Sequence, residues 1–436
     1  MTTDYLGIIR ELVAGTWREP STGRTYGIPI ESIAIDASLD GKELGLVEAV
    51  HFGKRLVVVS DAFTREALGA RVFRALEKRG NVREHVWERP RCTPEGIDEL
   101  MAACPDAEAF VAVGSGTISD SVKYGSYATG REYSVFATSP MNAYTTPTAS
   151  ISYDGFKKSV TCHSAKGVFF DLSVLAKCPR RLVAAAFADV ICRTTAQVDW
   201  LMSHLLFGTP YSDTAYALLA ADEDEMIASA QGLVEGDFDA LATLTRVAAI
   251  MGLGTSFTGT THVGSMAEHM ISHYIDMFAG DDHPRTSHGE QVGVATLTMS
   301  ELQNQILNDT EPPRMRPTAI PEATLRQKFG EATADTMIEQ TAKKALDEEK
   351  AAALNARFER EWDGIREKLQ AVMRPTEQIR DAMRTAGCQL TGRELGLKPE
   401  FYRDAVRCSR FIRDRWTMLD VAGDSGQLER FAARCE

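Results

Sequence analysis

The feature that most constrains the fold of this 436-residue chain is a change of pattern at Pro179. Before it, between residues 55 and 138, short β-branched apolar runs alternate with segments of helical pattern. After it, helical patterns dominate as far as the C-terminus. Continuously apolar strands that alternate with helices predict a parallel sheet covered on both faces. We therefore predict an N-terminal α/β domain over residues 1–178 and an all-α C-terminal domain over residues 179–436.

The strand pattern is most regular in the predicted α/β domain. Strands are predicted at Arg55–Asp61, Val82–Trp87, Ala109–Val113 and Tyr133–Thr138. Helices are predicted after the first strand as far as Lys78, near Pro94–Ala103, and from the glycines after the third strand through Ala128. In the second domain, the acid–base alternation of Thr341–Leu369 predicts one long helix with a solvated outer face.

Charge and composition exclude several classes of function. A formal net charge of -13 leaves no basic stripe that could neutralise the phosphates of a nucleic acid. No run reaches the ~18 to 20 apolar residues of a membrane helix, and the N-terminus lacks a basic signal region, so we expect a cytoplasmic protein without a membrane partner. The eight cysteines form no CxxC pair, which favours reduced thiols over disulfides or a thiolate zinc site.

Histidines with suggestive spacing lie between residues 264 and 289. His269 and His273 are four residues apart in a helical pattern, so their side chains leave the same helix face, and His288 follows a polar loop. This arrangement could close on a metal if an oxygen ligand came from elsewhere. Asp189, an acid at an otherwise apolar helix start, is the best candidate. The alternative is that each histidine is an ordinary core or helix-end residue.

A glycine pair marks a candidate phosphate-binding loop. Gly114-Ser115-Gly116 follows a predicted buried strand and precedes a helix, so the backbone could approach a pyrophosphate while the free amides of the helix start donate to it. The alternative is a simple tight turn. Asp61, at the end of the first regular strand, could accept hydrogen bonds from ribose hydroxyls and favour NAD over NADP, or it could cap the following helix.

Several separate blocks together resemble one family. GSGTISDSVKYGSY looks like the glycine-rich loop of the superfamily of dehydroquinate synthases and iron-containing alcohol dehydrogenases. Within it, the chain is most similar to the sn-glycerol-1-phosphate dehydrogenases. The further blocks are GTW near residue 16, YDGFKKS at 153, FFDLSVL at 169, AAAFADVICRTTAQVDW at 184, the EHMISH helix, HGEQVGVAT at 288 and IRDRWTMLD at 412.

The resemblance implies a fold and a set of site residues. The implied fold is a Rossmann-like nucleotide-binding domain followed by a helical domain, as the pattern also predicts. Asp189, His269 and His288 match the ligands of one divalent metal, which in the family is zinc or, in some relatives, nickel or iron. His273 matches a histidine beside the substrate. Gly114, Gly116, Thr117 and Asp120 match the loop that binds NAD or NADP, with Lys123 on the following helix. Together with Asp61, Ser115 and Thr138 they are the predicted cofactor-binding residues.

The implied activity is the reduction of dihydroxyacetone phosphate to sn-glycerol 1-phosphate, and the reverse reaction. The metal would polarise the substrate carbonyl, and His273 would supply the proton. The chain departs from the family at SPMNAY, where Asn142 replaces an aspartate near the substrate. Lys157, with Lys158 and His163 as further candidates, could bind the substrate phosphate.

Three other functions stay open at this point. One is a metal- and NAD-dependent synthase acting on a sugar phosphate, although the family relatives of that kind carry a glutamate where this chain has Asp189. Another is a related polyol or alcohol dehydrogenase with an altered substrate. The last is a binding protein without turnover, for which Asn142 is the only indication. A homo-oligomer, most simply a dimer, is expected for the enzyme.

Overall fold

The computed structural model describes residues 4–153 and 156–436. Asp154 and Gly155, which belong to the YDGFKKS block, lie outside the described residues. The chain forms two compact units: the first comprises the residues up to Ala186 together with Asp213–Thr260, and the second comprises Phe187–Ser212 with Thr261–Glu436. The predicted boundary between an N-terminal domain of residues 1–178 and a C-terminal domain of residues 179–436 stays a prediction.

A six-stranded sheet forms the centre of the first unit. The strands of the chain are β1 Trp17–Arg18, β2 Thr25–Tyr26, β3 Ser32–Asp36, β4 Leu56–Ser60, β5 Val82–Val86, β6 Ala109–Gly114, β7 Glu132–Ala137, β8 Thr148–Tyr153, β9 Phe156–Thr161 and β10 Gly167–Asp171. The large sheet has the order β3-β10-β7-β6-β4-β5, and every neighbouring pair is parallel. The pairs β1-β2 and β8-β9 are antiparallel.

The four predicted strands are confirmed as β4, β5, β6 and β7. All residues of β4 and β6 are buried, as their continuous apolar sequence requires. The strands β3 and β10 were not predicted. In β3 the buried residues alternate with half-buried ones and the strand ends in Asp36, so its apolar run is short and interrupted.

Helices cover the sheet of the first unit. They are α1 Ile9–Val13, α2 Glu43–His51, α3 Ala62–Thr64, α4 Ala70–Leu76, α5 Pro94–Ala103, α6 Gly116–Ala128, α7 Leu172–Leu175, α8 Arg180–Ile191, α10 Thr214–Ala228, α11 Ala230–Glu235 and α12 Phe238–Thr258. Helix α8 continues into the second unit, to which α9 belongs. Of the helices in the described ranges, α12 alone is long and apolar enough to cross a membrane, and 83% of its most apolar window is buried inside the protein, as in a core helix.

The second unit consists of helices throughout. They are α9 Arg193–Phe207, α13 Ala267–Phe278, α14 His288–Leu307, α15 Glu322–Phe329, α16 Glu331–Ala342, α17 Glu348–Gln370, α18 Thr376–Thr385, α19 Pro399–Cys408, α20 Met418–Asp424 and α21 Leu428–Ala432. None of the residues 187–212 and 261–436 forms a strand. The predicted fold class, a Rossmann-like α/β part and an all-helical C-terminal part, is confirmed.

The predicted single helix over Thr341–Leu369 is wrong. Helix α16 ends at Ala342 and α17 begins at Glu348, because Asp347 caps α17 by accepting a hydrogen bond from the Lys350 amide. Helix α17 has the predicted solvated outer face, on which most of its charged residues are exposed, and it has a buried face as well. It buries a stripe at helical spacing that consists of Ala351, Leu354, Phe358, Trp362, Ile365 and Leu369.

Candidate metal and cofactor sites

Asp189, His269 and His288 come together in the second unit from three different helices. Asp189 lies on α8, His269 on α13, and His288 is the first residue of α14. One ligand atom from each lies within 4.8 Å of the other two, and His269 Nε2 is 3.6 Å from Asp189 Oδ1. Asp189 and His269 are buried and His288 is half-buried. A buried carboxylate beside two imidazoles is a donor set that suits a divalent metal.

A glycine allows the helices that carry these ligands to approach. A Cβ atom on Gly293 of α14 would lie 2.6 Å from the Cβ of Ala188, directly before Asp189 on α8. Such a contact is too short for any side chain, so only glycine permits α14 to pack this closely against the segment that bears the carboxylate. The position of Asp189 relative to His288 therefore depends on Gly293.

The protonation of His269 is fixed by its neighbour in sequence. Glu268 is fully buried, and its Oε1 accepts hydrogen bonds from His269 Nδ1 at 3.0 Å and from the Met266 amide at 2.6 Å. Because Nδ1 of His269 donates to a carboxylate, its Nε2 carries the lone pair and faces Asp189. A carboxylate that orients a metal-binding imidazole in this way also raises its basicity.

His288 is oriented by a chain of three hydrogen bonds. Its Nδ1 lies 3.0 Å from Ser272 Oγ, which donates to Gln291 Oε1 at 2.8 Å. The amide of Gln291 in turn donates to Asp276 Oδ1 at 3.0 Å. A serine hydroxyl has one proton, so Ser272 must accept from His288, whose Nε2 is then left with the lone pair. Sequence reasoning missed Glu268, Ser272 and Gln291, although all three lie in the EHMISH and HGEQ blocks.

A second set of possible ligands shares His269. Cys192, Glu268 and His269 also have ligand atoms within 4.8 Å of one another, and all three are buried. Burial raises the pKa of the Cys192 thiol well above its ordinary value, so this sulfur stays protonated and is a poor ligand. The set of Asp189, His269 and His288 therefore fits a metal better.

His273 lies beside the three ligands. Its ring centroid is 5.7 Å from that of His288 and 6.2 Å from that of His269. Arg413 Nη2 donates to His273 Nδ1 at 3.1 Å, so a neutral His273 carries its proton on Nε2. Sequence analysis named His273 but missed Arg413, whose pKa is lowered by burial. Arg413 lies in the IRDRWTMLD block, and this block was the sequence signal that could have identified it.

The glycine loop lies at a reversal in the strand order of the first unit. The chain leaves β4 towards β5 on one side and leaves β6 towards β7 on the other, while β4 and β6 are neighbours. Gly114 ends β6 and Asp61 directly follows β4. In open parallel sheets, ligands bind outside the carboxyl ends of strands at such a reversal. The structure thus brings these two predicted cofactor residues to the same edge.

The two glycines of the loop have different surroundings. A Cβ atom on Gly114 would lie 2.7 Å from the Cβ of Ile118, whereas a Cβ on Gly116 would meet nothing within 4 Å. Ser115, the N-cap of α6, makes no side-chain cap hydrogen bond, and Thr117 is exposed. The start of α6 therefore has open space at Gly116 and no side-chain cap from Ser115, and this suits a pyrophosphate.

Hydrogen bonds to the end of β6 support this loop. The carbonyl of Gly114 accepts from the Thr138 amide at 3.3 Å and from the Tyr144 hydroxyl at 3.0 Å. Tyr144 is fully buried and its hydroxyl also lies 3.0 Å from Ser139 Oγ. Thr138 thus lies next to the loop, and Tyr144 holds the strand end in place.

Asp120 and Lys123 bind to the protein itself. Lys123 is fully buried and donates to Asp120 Oδ1 at 3.1 Å, to the Ala143 carbonyl at 2.7 Å and to the Thr148 carbonyl at 2.8 Å. Asp120 Oδ2 accepts from the Ser150 amide at 3.0 Å. Both carboxylate oxygens of Asp120 therefore have protein donors, and the pair fastens α6 to the segment that follows Asn142.

Asp61 caps the helix that follows it. Its Oδ1 accepts from the Thr64 amide at 2.8 Å, and Thr64 Oγ1 accepts from the Asp61 amide at 3.0 Å. The capping role considered from sequence is realised. It uses one carboxylate oxygen and leaves the ribose role compatible with it.

Asn142 lies on a different segment of the first unit from Lys157 and Lys158, which are on β9. Asn142 opens a short 3₁₀ turn packed against α12, where a Cβ on Gly252 would lie 2.3 Å from the Asn142 carbonyl oxygen. Lys157 is half-buried on β9, and Lys158 Nζ lies 5.4 Å from the Tyr153 ring centroid. His163 Nε2 lies 2.9 Å from Ser126 Oγ, and burial lowers the His163 pKa.

The chain is similar in sequence to known dehydrogenases. The family model described as iron-containing alcohol dehydrogenase matches residues 35–179. The chain is 24% identical over 412 residues to the glycerol-1-phosphate dehydrogenase [NAD(P)+] of Bacillus licheniformis, with 92% of this chain and 91% of that protein aligned. It is 30% identical to the protein of the same name from Halalkalibacterium halodurans over 57% of this chain and 64% of the relative.

Solved structures with the same fold are more distant in sequence. Glycerol dehydrogenase from Schizosaccharomyces pombe has a TM-score of 0.61 and 14% identity, covering 93% of this chain and 90% of that one. Maleylacetate reductase from Rhizobium sp. strain MTP-10005 has a TM-score of 0.62 and 14% identity, covering 93% and 95%. At these identities the likeness establishes the fold only.

Proposed function

We propose that this chain, which is similar in sequence to glycerol-1-phosphate dehydrogenases and to iron-containing alcohol dehydrogenases, reduces dihydroxyacetone phosphate to sn-glycerol 1-phosphate and catalyses the reverse reaction. It is a metal-dependent, NAD(P)-linked dehydrogenase. The observation that carries the proposal is the group of Asp189, His269 and His288, whose two imidazoles each direct an Nε2 lone pair away from an Nδ1 that is already hydrogen-bonded.

These residues fit a catalytic metal rather than a structural one. Three protein ligands leave coordination positions for a substrate, whereas structural zinc sites have four. A divalent ion bound there, which we propose to be zinc, would supply Lewis acidity towards the substrate carbonyl. The protein contributes the orientation of its ligands through Glu268 and Ser272, and this lowers the cost of assembling the site.

His273 is proposed to hold the proton that the substrate oxygen receives. Arg413 donates to Nδ1 of His273, so a neutral ring keeps its proton on Nε2. The ring is buried and adjacent to both metal-binding imidazoles. A fixed tautomer with a proton at a single ring atom is what a general acid needs. Arg413 therefore acts as a positioning residue for His273.

The nicotinamide cofactor is proposed to bind at the carboxyl ends of β4 and β6. Open space at Gly116 and the uncapped start of α6 support pyrophosphate binding, and the remaining carboxylate oxygen of Asp61 supports a preference for NADH over NADPH. Replacing Asp61 by Ser should narrow the ratio of kcat/KM between the two cofactors. A wild-type enzyme that uses NADPH better would limit Asp61 to its capping role.

Asn142 provides a direct test of the proposed substrate, because it stands where the family has an aspartate near the substrate. Asparagine can accept one hydrogen bond and donate, but it carries no charge, whereas the family aspartate only accepts. The test compares wild type and Asn142→Asp on dihydroxyacetone phosphate and related ketones, following NADH oxidation. A rise of more than about tenfold in kcat/KM, or ~1.4 kcal/mol, for dihydroxyacetone phosphate alone would mean that the native substrate is a different ketone.

The same assay distinguishes the dehydrogenase from the other functions that the sequence left open. Product formation without net oxidation of NADH would favour a synthase acting on a sugar phosphate, and absence of turnover with every substrate would favour a binding protein. Asp189 supports the dehydrogenase over the synthase, since the resemblance assigns glutamate to synthases at this position. We further propose that the protein is a cytoplasmic homodimer. Light scattering of the purified protein would measure its mass and so test the dimer.

A further inference from the structure

A cavity of about 270 Å³ lies in the second unit, beside the last turn of α9. Its walls include Phe207 of α9, Lys343 and Lys344 of the segment between α16 and α17, and Arg415 and Trp416. The volume is close to the lower end of the ~300–1,000 Å³ range of small-molecule pockets. The break between α16 and α17, which the sequence did not predict, shapes one wall of this cavity.

The cavity is separate from the metal site. Cys192, directly before α9, has its sulfur within 4.8 Å of ligand atoms of Glu268 and His269. Phe207 is the last of the 15 residues of α9, and a helix of that length rises roughly 20 Å. The Phe207 end of the cavity therefore lies far from Cys192, and none of the three candidate metal ligands lines the cavity.

The charge of the walls is unusual for this acidic chain. Four side chains that line the cavity are cationic and one is acidic, while the chain as a whole has a net charge of -13. The cationic ones are Lys343, Lys344, Lys350 and Arg415, and the acidic one is Asp414. A concave surface with this excess of positive charge attracts anions.

Arg415 lacks a carboxylate partner. Its guanidinium donates to the Ser265 carbonyl and, at 2.5 Å, to Thr261 Oγ1, both neutral oxygens. No carboxylate of the described residues lies within the 4.0 Å of an ion pair with it, whereas the neighbouring Lys344 pairs with Asp420 at 2.9 Å. Burial, with a contribution from Arg413, lowers the Arg415 pKa to about 10. A guanidinium this enclosed is stabilised by an anionic partner.

The rim and the apolar wall indicate the kind of anion. Lys343 and Lys350 are exposed and pair only with carboxylates near them in sequence, Glu339 at 3.0 Å and Asp347 at 3.6 Å. Exposed pairs of this kind contribute little, so these lysines could turn towards a ligand. The Phe207 side chain is 43% exposed although it packs edge-on against another aromatic ring. An exposed aromatic ring beside cations suits a flat apolar group that carries a negative charge.

We propose that this cavity binds a small aromatic anion, whose phosphate or carboxylate pairs with Arg415 and whose ring packs against Phe207. Lys350 at the rim adds attraction for the anionic group. The proposal does not depend on the substrate assigned above, because its residues are not those of the metal or cofactor sites.

The experiment measures binding to the full-length protein by calorimetry, with phenyl phosphate and benzoate as probes and with phenol and inorganic phosphate as partial probes. Wild type should bind at least one aromatic anion more tightly than both partial probes. Phe207→Ala and Lys350→Glu should each weaken that binding by about tenfold or more. Lys368→Glu is the matched control, since it reverses an exposed charge on the same helix α17 but away from the cavity, and should leave binding unchanged.

The outcomes are distinct from those that test the dehydrogenase. Tighter binding of phenyl phosphate than of benzoate would identify phosphate as the recognised group, and the reverse order would identify carboxylate. The proposal is overturned if wild type binds neither aromatic anion at millimolar concentration, or if either Phe207→Ala or Lys350→Glu binds as wild type does. Reduction of dihydroxyacetone phosphate by these variants is a separate measurement that reports on the proposed function alone.

Discussion

The candidate cofactor site and the candidate metal site are built on opposite principles. In the first unit, adjacent residues Gly114–Thr117 offer backbone amides at a strand end, and the side chains matter mainly by being small. In the second unit, Asp189, His269 and His288 offer side chains from three helices, and each imidazole has its own hydrogen-bonded support. A backbone site should therefore be broken by added atoms, and a side-chain site by removed ones.

The largest expected effect is the loss of a metal ligand. His269→Ala should abolish tight metal binding and activity, because two remaining ligands compete poorly with water. His273→Ala is the matched control on the same face of α13. It should keep its metal and lose rate by roughly 10²-fold. Elemental analysis and kinetics together decide, and equal metal loss in both variants would show that the two histidines are misassigned.

Alanine substitutions at the two glycines of the candidate cofactor loop test the effect of added atoms there. Gly114→Ala places a Cβ 2.7 Å from Ile118 and should destabilise the fold by about 1–3 kcal/mol. Gly116→Ala meets nothing within 4 Å, so it should keep the melting temperature while raising the KM for NADH, since the methyl group fills the space for the pyrophosphate. An unchanged KM for Gly116→Ala would remove the loop from the cofactor site.

A smaller effect is expected from the support of His269. Glu268→Gln keeps a hydrogen-bond acceptor but removes the negative charge, so metal affinity should fall roughly tenfold, measured by competition with a chelator. Glu301→Gln, an exposed change on α14, is the control. Affinity equal to that of wild type would mean that Glu268 serves packing only.

The smallest expected effect is a pH dependence of the free energy of unfolding that comes from His51 in the first unit. Burial lowers the pKa of His51 from 6.5 to about 4, so the unfolded chain takes up a proton below pH 6.5 that the folded chain refuses. Stability is therefore full above pH 6.5 and lost as pH falls towards 4. From pH 7.5 to 5.5 the free energy of unfolding should fall by roughly 1 kcal/mol through this group. Urea titrations of His51→Leu should show a correspondingly flatter pH dependence.

The same contrast explains what the sequence could predict. The buried strands β4 and β6 and the loop Gly114–Gly116 are local patterns, and they were found from local pattern alone. Asp189 lies 80 residues before His269 in the chain, and its pairing with the histidines depended on the unusual acid in an apolar helix start and on resemblance to a family, because spacing alone does not bring α8 to α13. Supporting residues such as Ser272 and Gln291 were missed because a hydrogen-bond chain across helices has no periodic signature.

Lys123 has a consequence for chemical labelling of the folded protein. Its amine is fully enclosed and gives its hydrogen bonds to Asp120 and to two backbone carbonyls, those of Ala143 and Thr148. An amine-reactive reagent can modify this lysine only after the loop that carries Asn142 has separated from α6. The rate at which Lys123 reacts would therefore report the opening frequency of that loop.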